Sequence, residues 1–195
     1  MEKRIIKSEK AGKLTPAMLK AMAAITGAKE NKYRPFLQYV HYNANEKRLE
    51  VTDGRCLATV AVDDIMPENE REGFFTIVDN LLVESEYTGN FPNCNYVIPS
   101  SEKMEHKAYI TTLKKKGEER AIRVTALTGL VFGIGEKSIV AAFGFSEFTA
   151  IEWNLPTNPI KLYDSYCMAV IMPMANPLGC FEIVKGGEIA ERKAV

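Results

Sequence analysis

The chain has 195 residues, 46% apolar and 26% charged, with 25 basic residues balancing 25 acidic ones. That length carries one good core or two small ones. The zero formal net charge excludes a protein that is basic all over, while leaving room for a local basic patch.

No stretch approaches the roughly 18 apolar residues of a membrane helix, and the first residues show no signal-peptide run. Cys56, Cys94, Cys167 and Cys180 form no Cys-x-x-Cys pair, so neither a tetrahedral zinc site nor any other cofactor is expected. Reduced thiols in the cytoplasm are the natural expectation.

The first element is a helix. Thr15 suits an N-cap, Pro16 the first helical position and Gly27 a stop, and between them Ala17–Thr26 is rich in Ala, Met and Leu. Leu14, Met18, Met22 and Ile25 recur at helical spacing and should face the core. A charged linker (Lys29–Arg34) follows, then a strand at Phe36–Tyr42, a turn at Asn43–Glu46, and strands at Arg48–Thr52 and Leu57–Val62 joined by Asp53-Gly54. Phe74–Val78 and Leu81–Glu86 read as short strands about Asp79-Asn80, and Gly89–Pro99 as an extended crossing segment. Ser100–Lys107 is a polar junction between two halves.

The second half is mostly strand: Ala108–Leu113, Ala121–Leu127, Leu130–Ile134 and Ile139–Phe145. Ser146 could cap a short helix running through Trp153. Ile160–Tyr163 and Met168–Met172 pair about Asp164-Ser165-Tyr166, and a charged tail follows. No strict repeat stands out.

Motifs for catalysis are absent, and no catalytic residue and no metal ligand is expected. Gly129–Ser138 superficially suggests a phosphate loop, but Glu136 stands where Gly must precede Lys, and the flanks alternate like strands. Asp63, Asp64, Glu68, Glu70 and Glu72 read as solvated surface charge. His41, in an aromatic strand, reads as a satisfied structural histidine.

Three ordered segments carry a resemblance. Tyr33-Arg34-Pro35-Phe36-Leu37 runs into Val51-Thr52-Asp53-Gly54-Arg55-Cys56-Leu57-Ala58. Gly89-Asn90-Phe91-Pro92-Asn93 leads to Tyr96-Val97-Ile98-Pro99. Tyr166–Met174 ends in Met172-Pro173-Met174. Together they resemble the bacterial DNA sliding-clamp family, the beta subunit of DNA polymerase III.

The resemblance implies an α+β, clamp-like fold: two shortened domains of antiparallel sheet with few helices. Residues 1–100 would correspond to the family's middle domain, 101–175 to its last domain, and 176–195 to a C-terminal extension. It implies a non-catalytic DNA-replication accessory, a processivity factor whose groove binds short peptides of polymerases, loaders and repair proteins. The matching groove positions are Leu37, Thr52, Gly54, Arg55, Leu57, Pro92, Val97, Met172, Pro173 and Met174. Leu, Val, Pro and flexible Met would make an adaptable apolar floor.

In the family, homo-oligomeric rings encircle duplex DNA. In such a ring Lys20, Lys29, Lys32 and Arg34 could contact phosphates non-specifically, with solvated surface charge as the slightly favoured alternative. The alternative is a clamp-derived peptide-binding module that forms no ring. The chain departs from the family in having room for two domains instead of three. It also carries Arg55 and Cys56 where the family usually has His and Arg. In the tail, Leu178 and Phe181 loosely resemble the anchors of a clamp-binding peptide, with an extra strand as the alternative.

Overall fold

The computed structural model describes residues 3–9, 14–66, 71–104, 106–116, 119–126, 133–135, 150–154, 158–172, 180–183 and 189–191. The expected strand at Ile139–Phe145, the cap at Ser146, Leu178, and the groove positions Pro173 and Met174 lie outside them.

Helix α1 spans Pro16–Thr26. The Thr15 hydroxyl accepts the Met18 N–H at 3.2 Å, and the Gly27 N–H donates to the Ala23 carbonyl at 2.9 Å. Both ends are thereby satisfied locally. Leu14, Met18, Leu19, Met22 and Ile25 are buried, so the apolar face read from the sequence is the one that packs.

The chain then builds β1 (Ile5–Lys7), β2 (Val40–Asn43), β3 (Arg48–Thr52), β4 (Cys56–Ala61), β5 (Gly73–Val78) and β6 (Leu81–Glu84). The second half supplies β7 (His106–Lys116), β8 (Glu119–Ala126), β9 (Gly133–Gly135), β10 (Ala150–Trp153), β11 (Ile160–Tyr163) and β12 (Cys167–Ile171). The tail adds β13 (Cys180–Ile183) and β14 (Ile189–Glu191). Asp79 and Asn80, at φ 48° and 62°, make the left-handed turn between β5 and β6 that Asx residues tolerate.

Two expectations are corrected. Pro35–Gln38 is a 3-10 turn, so the strand expected from Phe36 begins only at Val40. Pro35 fixes φ, and the Leu37 carbonyl is taken by the Asn31 side chain at 3.1 Å instead of by a ladder partner. The short helix expected to run through Trp153 is strand β10, flanked by β7 and β11. Four consecutive buried residues, Ala150–Trp153, have neighbours on both faces and both edges, which a helix could not satisfy there.

Eleven strands form one antiparallel sheet in the order β1-β6-β5-β2-β3-β4-β12-β11-β10-β7-β8. The two halves join where β4 pairs with β12, from Cys56 opposite Ile171 to Val60 opposite Cys167. In the tail, β13 pairs with β9 and β14 in a separate three-stranded sheet, which is the strand alternative for Phe181. The main core lies on the sheet face that α1 covers. There Met18, Met22, Leu49, Val51, Val60 and Phe75 pack in one continuous cluster with Ile151, Trp153, Leu162 and Ala169 from the second half.

Candidate functional site

The opposite sheet face is crossed by the segment between β6 and β7, here termed the strap. Its path is set by a series of side-chain contacts. Tyr87 stacks on Tyr39 at 4.9 Å between ring centroids and meets Phe74 edge-on. Phe91 stacks on the His41 imidazole at 4.5 Å. The Asn95 side chain accepts from Arg48 at 2.6 Å and donates to Glu46 at 3.1 Å. Beyond it, Ser101 bonds Lys161. Lys161 in turn pairs with Glu152 at 3.2 Å.

Between these fastenings lies a small second hydrophobic cluster. Leu57 on β4 faces its register partner Val170 on β12, and Cys94 of the strap covers both. Phe91, Ile98 and Met168 pack around them, half-buried. All three segments of the resemblance therefore meet at one point: the β3–β4 hairpin, the strap and the β12 end.

The hairpin is built by its own side chains. Asp53 Oδ1 accepts the N–H groups of Arg55 at 2.8 Å and Cys56 at 2.7 Å, and Thr52 Oγ1 accepts that of Gly54 at 3.0 Å. Gly54 takes φ 87°, where an L side chain is strained, and a Cβ there would lie 2.9 Å from Arg34 Nη1. The Arg55 carbonyl accepts the Met172 N–H at 2.9 Å, joining the hairpin to the β12 end.

The expected groove residues fall into two groups. Leu37, Thr52 and Leu57 are buried. Gly54, Arg55 and Pro92 are exposed, as are Val97 and Met172, each about half accessible, as large apolar side chains in water. Pro92 and Val97 flank the packed strap residues Cys94 and Ile98 without being part of that cluster. Asn31 is a positional element that sequence reasoning missed. Its amide donates to the Ile25, Thr26 and Leu37 carbonyls at 3.0–3.1 Å, tying the helix end to the Leu37 turn. An Asn four positions after the Gly27 stop, whose amide can reach back to the last helical carbonyls, was the available signal. Cys94 and Val170 were missed as floor residues because their burial depends on the strap's path.

Lys20 is exposed on α1, and Lys29 and Lys32 are exposed on the 3-10 turn Lys29–Tyr33 that follows it. Arg34 is also exposed, with its guanidinium against Gly54 at the hairpin.

His41 is satisfied, as the sequence suggested, with Nδ1 3.0 Å from Glu50 and Nε2 2.7 Å from Glu72. Burial pushes the Glu50 carboxyl up, but hydrogen bonds from His41 and Arg48, with their charges, outweigh this and hold it below the usual range. Burial drives the Cys94 thiol up to about 12, the Glu50 charge adding to the effect. Cys56 reaches about 12 through burial and the Asp53 charge. These thiols are neutral near pH 7 and serve as packing groups. Among the described residues, no three His, Cys, Asp or Glu side chains cluster to hold a metal, and no helix is long and apolar enough to cross a membrane.

No protein-family model matches the sequence, and no curated protein matches it. Solved structures do match. The DNA polymerase sliding clamp of Pseudomonas aeruginosa superposes with a TM-score of 0.57 at 11% identity, over 89% of this chain and 67% of that one. The Helicobacter pylori beta clamp bound to a DNA ligase peptide gives 0.52 at 12% identity, over 89% and 65%. The Borrelia burgdorferi DNA polymerase III beta subunit gives 0.51 at 15%, over 90% and 64%. The chain spans about two thirds of the length of these clamps. With its antiparallel sheet and single described helix, the chain has the bacterial sliding-clamp fold, in shortened form.

Proposed function

We propose that the protein is a sliding-clamp-like, non-enzymatic DNA-replication accessory that binds short apolar peptide segments of polymerases and other partners. The observation that carries this reading is the packing of Leu57 and Val170 against Cys94, with Val97 and Met172 exposed on the same strap and at the same β12 end. The H. pylori clamp of the same fold holds a DNA ligase peptide. A Leu or Phe anchor seated on such a floor contributes about 1.5–3 kcal/mol when fully buried, so two or three anchors reach roughly micromolar affinity after ordering costs.

The test is fluorescence anisotropy with that ligase peptide. Met172→Asp and Val97→Asp alter exposed side chains and should leave the fold intact. Each is expected to weaken binding about tenfold or more, since a charge placed against apolar anchors is desolvated without a partner. Equal affinity in wild type and both variants removes the groove from this face.

Ring formation around DNA is the further part of the proposal. It is supported by β1 and β8 standing at the two ends of the sheet among the described residues, where a neighbouring copy could extend it head to tail. Lys20, Lys29 and Lys32 would then meet phosphates, with Arg34 shared between that role and the hairpin. Light scattering decides the matter: a closed oligomer supports the ring, and a monomer supports a peptide-binding module of the same fold.

A further inference from the structure

A thioether is apolar, and the described methionines are mostly placed accordingly. Met18, Met22 and Met66 belong to the main core at 3%, 0% and 7% exposure, and Met104 and Met168 are half-buried. Met172 departs from them at 46% and belongs to neither hydrophobic cluster. It follows Ile171, the end of β12, whose register partner Cys56 opens β4. Its N–H donates to the Arg55 carbonyl at 2.9 Å. The backbone is thus fixed to the hairpin, while the side chain meets water at the hairpin end of the groove.

The thiols of the same region are shielded. Cys56, Cys94 and Cys167 are free and buried. Burial pushes the first two up to about 12, so almost no thiolate is present for an oxidant to attack. A thioether has no proton to lose, so access alone decides its reaction. Access singles out Met172 among the described sulfurs.

We propose that Met172 is an oxidation site that switches peptide binding off: a peroxide converts its thioether to the sulfoxide, and reduction restores the apolar surface. The proposal rests on the groove reading above and adds its regulation. A sulfur lone pair attacks one peroxide oxygen, and an S–O bond forms as the O–O bond breaks. The proton on the transferred oxygen passes to the departing one, which leaves as water. The sulfur loses two electrons and the peroxide gains them. The product is polar and chiral where the flexible, apolar Met side chain would meet a Leu or Phe anchor. Seating such an anchor strips water from the sulfoxide oxygen and offers no donor in return. The core is untouched, because Met172 lies outside it.

The experiment treats the folded protein with increasing hydrogen peroxide. Peptide mapping with fragment-ion assignment follows each methionine, and anisotropy with the H. pylori ligase peptide is read on the same samples. Met172 should be oxidised well before Met18, Met22 and Met66, with Tm unchanged and affinity about tenfold weaker. Methionine sulfoxide reductase should restore both mass and affinity. Met172→Leu, at whatever affinity it begins, should not respond to the same dose. Oxidation of Met172 no earlier than of the core methionines overturns the site. Selective oxidation with unchanged affinity, or an equal loss in Met172→Leu, overturns the switch. Selective oxidation of a protein that binds no ligase peptide even before treatment overturns the groove reading, and the switch with it, and leaves the oxidation site standing.

Discussion

Ala58 and Ala169 face each other across the β4–β12 ladder, and neither exposes any surface. A local two-fold relation passes through this pair and extends well beyond it. The Ala61 N–H donates to the Tyr166 carbonyl as the Met172 N–H donates to that of Arg55, both at 2.9 Å. The cross-strand pair His41–Glu50 has its counterpart in Glu152–Lys161, each a buried polar pair on the strap side of the sheet. The two halves thus repeat one meander, and each end of the repeat faces a different segment. The strap and Arg34 meet the hairpin end at Thr52–Leu57.

Small side chains at the centre let the halves approach closely. Ala169→Leu should force the ladder or the facing core to shift, costing about 1–3 kcal/mol. For a chain of this size that lowers Tm by about 2–4 °C per kcal/mol. Thermal denaturation checks it, and an unchanged Tm would mean that the β4–β12 junction holds unfilled space.

The two hairpin turns of the repeat share a device. Asp164 Oδ1 accepts the N–H groups of Tyr166 and Cys167 at 2.8 and 2.6 Å, as Asp53 does for Arg55 and Cys56. Replacing either Asp by Ala removes charge-assisted bonds worth about 1.5–3 kcal/mol, less whatever water restores. Comparable losses of stability are expected from Asp53→Ala and Asp164→Ala in denaturant titrations. Only Asp53→Ala should also weaken peptide binding, since only its turn presents Gly54 and Arg55. Equal effects on binding would detach the groove from this hairpin.

Much of this was legible beforehand because local chemistry decided it. Thr15, Pro16 and Gly27 fix α1 with bonds inside a few residues, and Asp53-Gly54 fixes its turn in the same way. The Asp-x-x-Cys recurrence at Asp53 and Asp164 was equally available as the mark of the repeat and went unread. Other features depended on distant partners. Ala150–Trp153 looks helical until β7 and β11 enclose it. Leu37 seems a strand residue until Asn31 claims its carbonyl. The motif segments converge as their order suggested, but the burial of Cys94 and Val170 depends on the strap, which is fastened to Arg48 on one side and Lys161 on the other.

Acid should unfold the protein through three carboxylates held below the usual range. Hydrogen bonds from Arg4 are the main cause for Glu84. For Glu50 and Glu152, burial opposes the shift, but hydrogen bonds from His41 and Arg48, and from Tyr163, Ser101 and Lys161, prevail. With folded values depressed, the unfolded chain binds more protons, so stability rises with pH in this range. Their contribution is complete above the ordinary Glu value of about 4.3 and is lost as pH falls below it. Denaturant midpoints measured from pH 6 to pH 3 should fall steeply below about pH 4.5, and Glu84→Gln should flatten that decline while lowering stability at pH 6. A decline as steep in the variant would place the acid sensitivity elsewhere.

The strap can be followed through a thiol it buries. With Cys94 and Cys56 both pushed up to about 12, the thiolate fraction at pH 8 is about one part in ten thousand. Iodoacetamide should therefore leave both residues unmodified over hours in the native protein and label them within minutes in denaturant, as read by peptide mapping. The two sites should separate when the strap is loosened. Arg48→Ala removes the hold on Asn95 and should speed labelling of Cys94 while leaving Cys56, which belongs to the main core, protected. Cys94 and Cys56 labelling together in that variant would show that the strap opens only when the whole sheet unfolds.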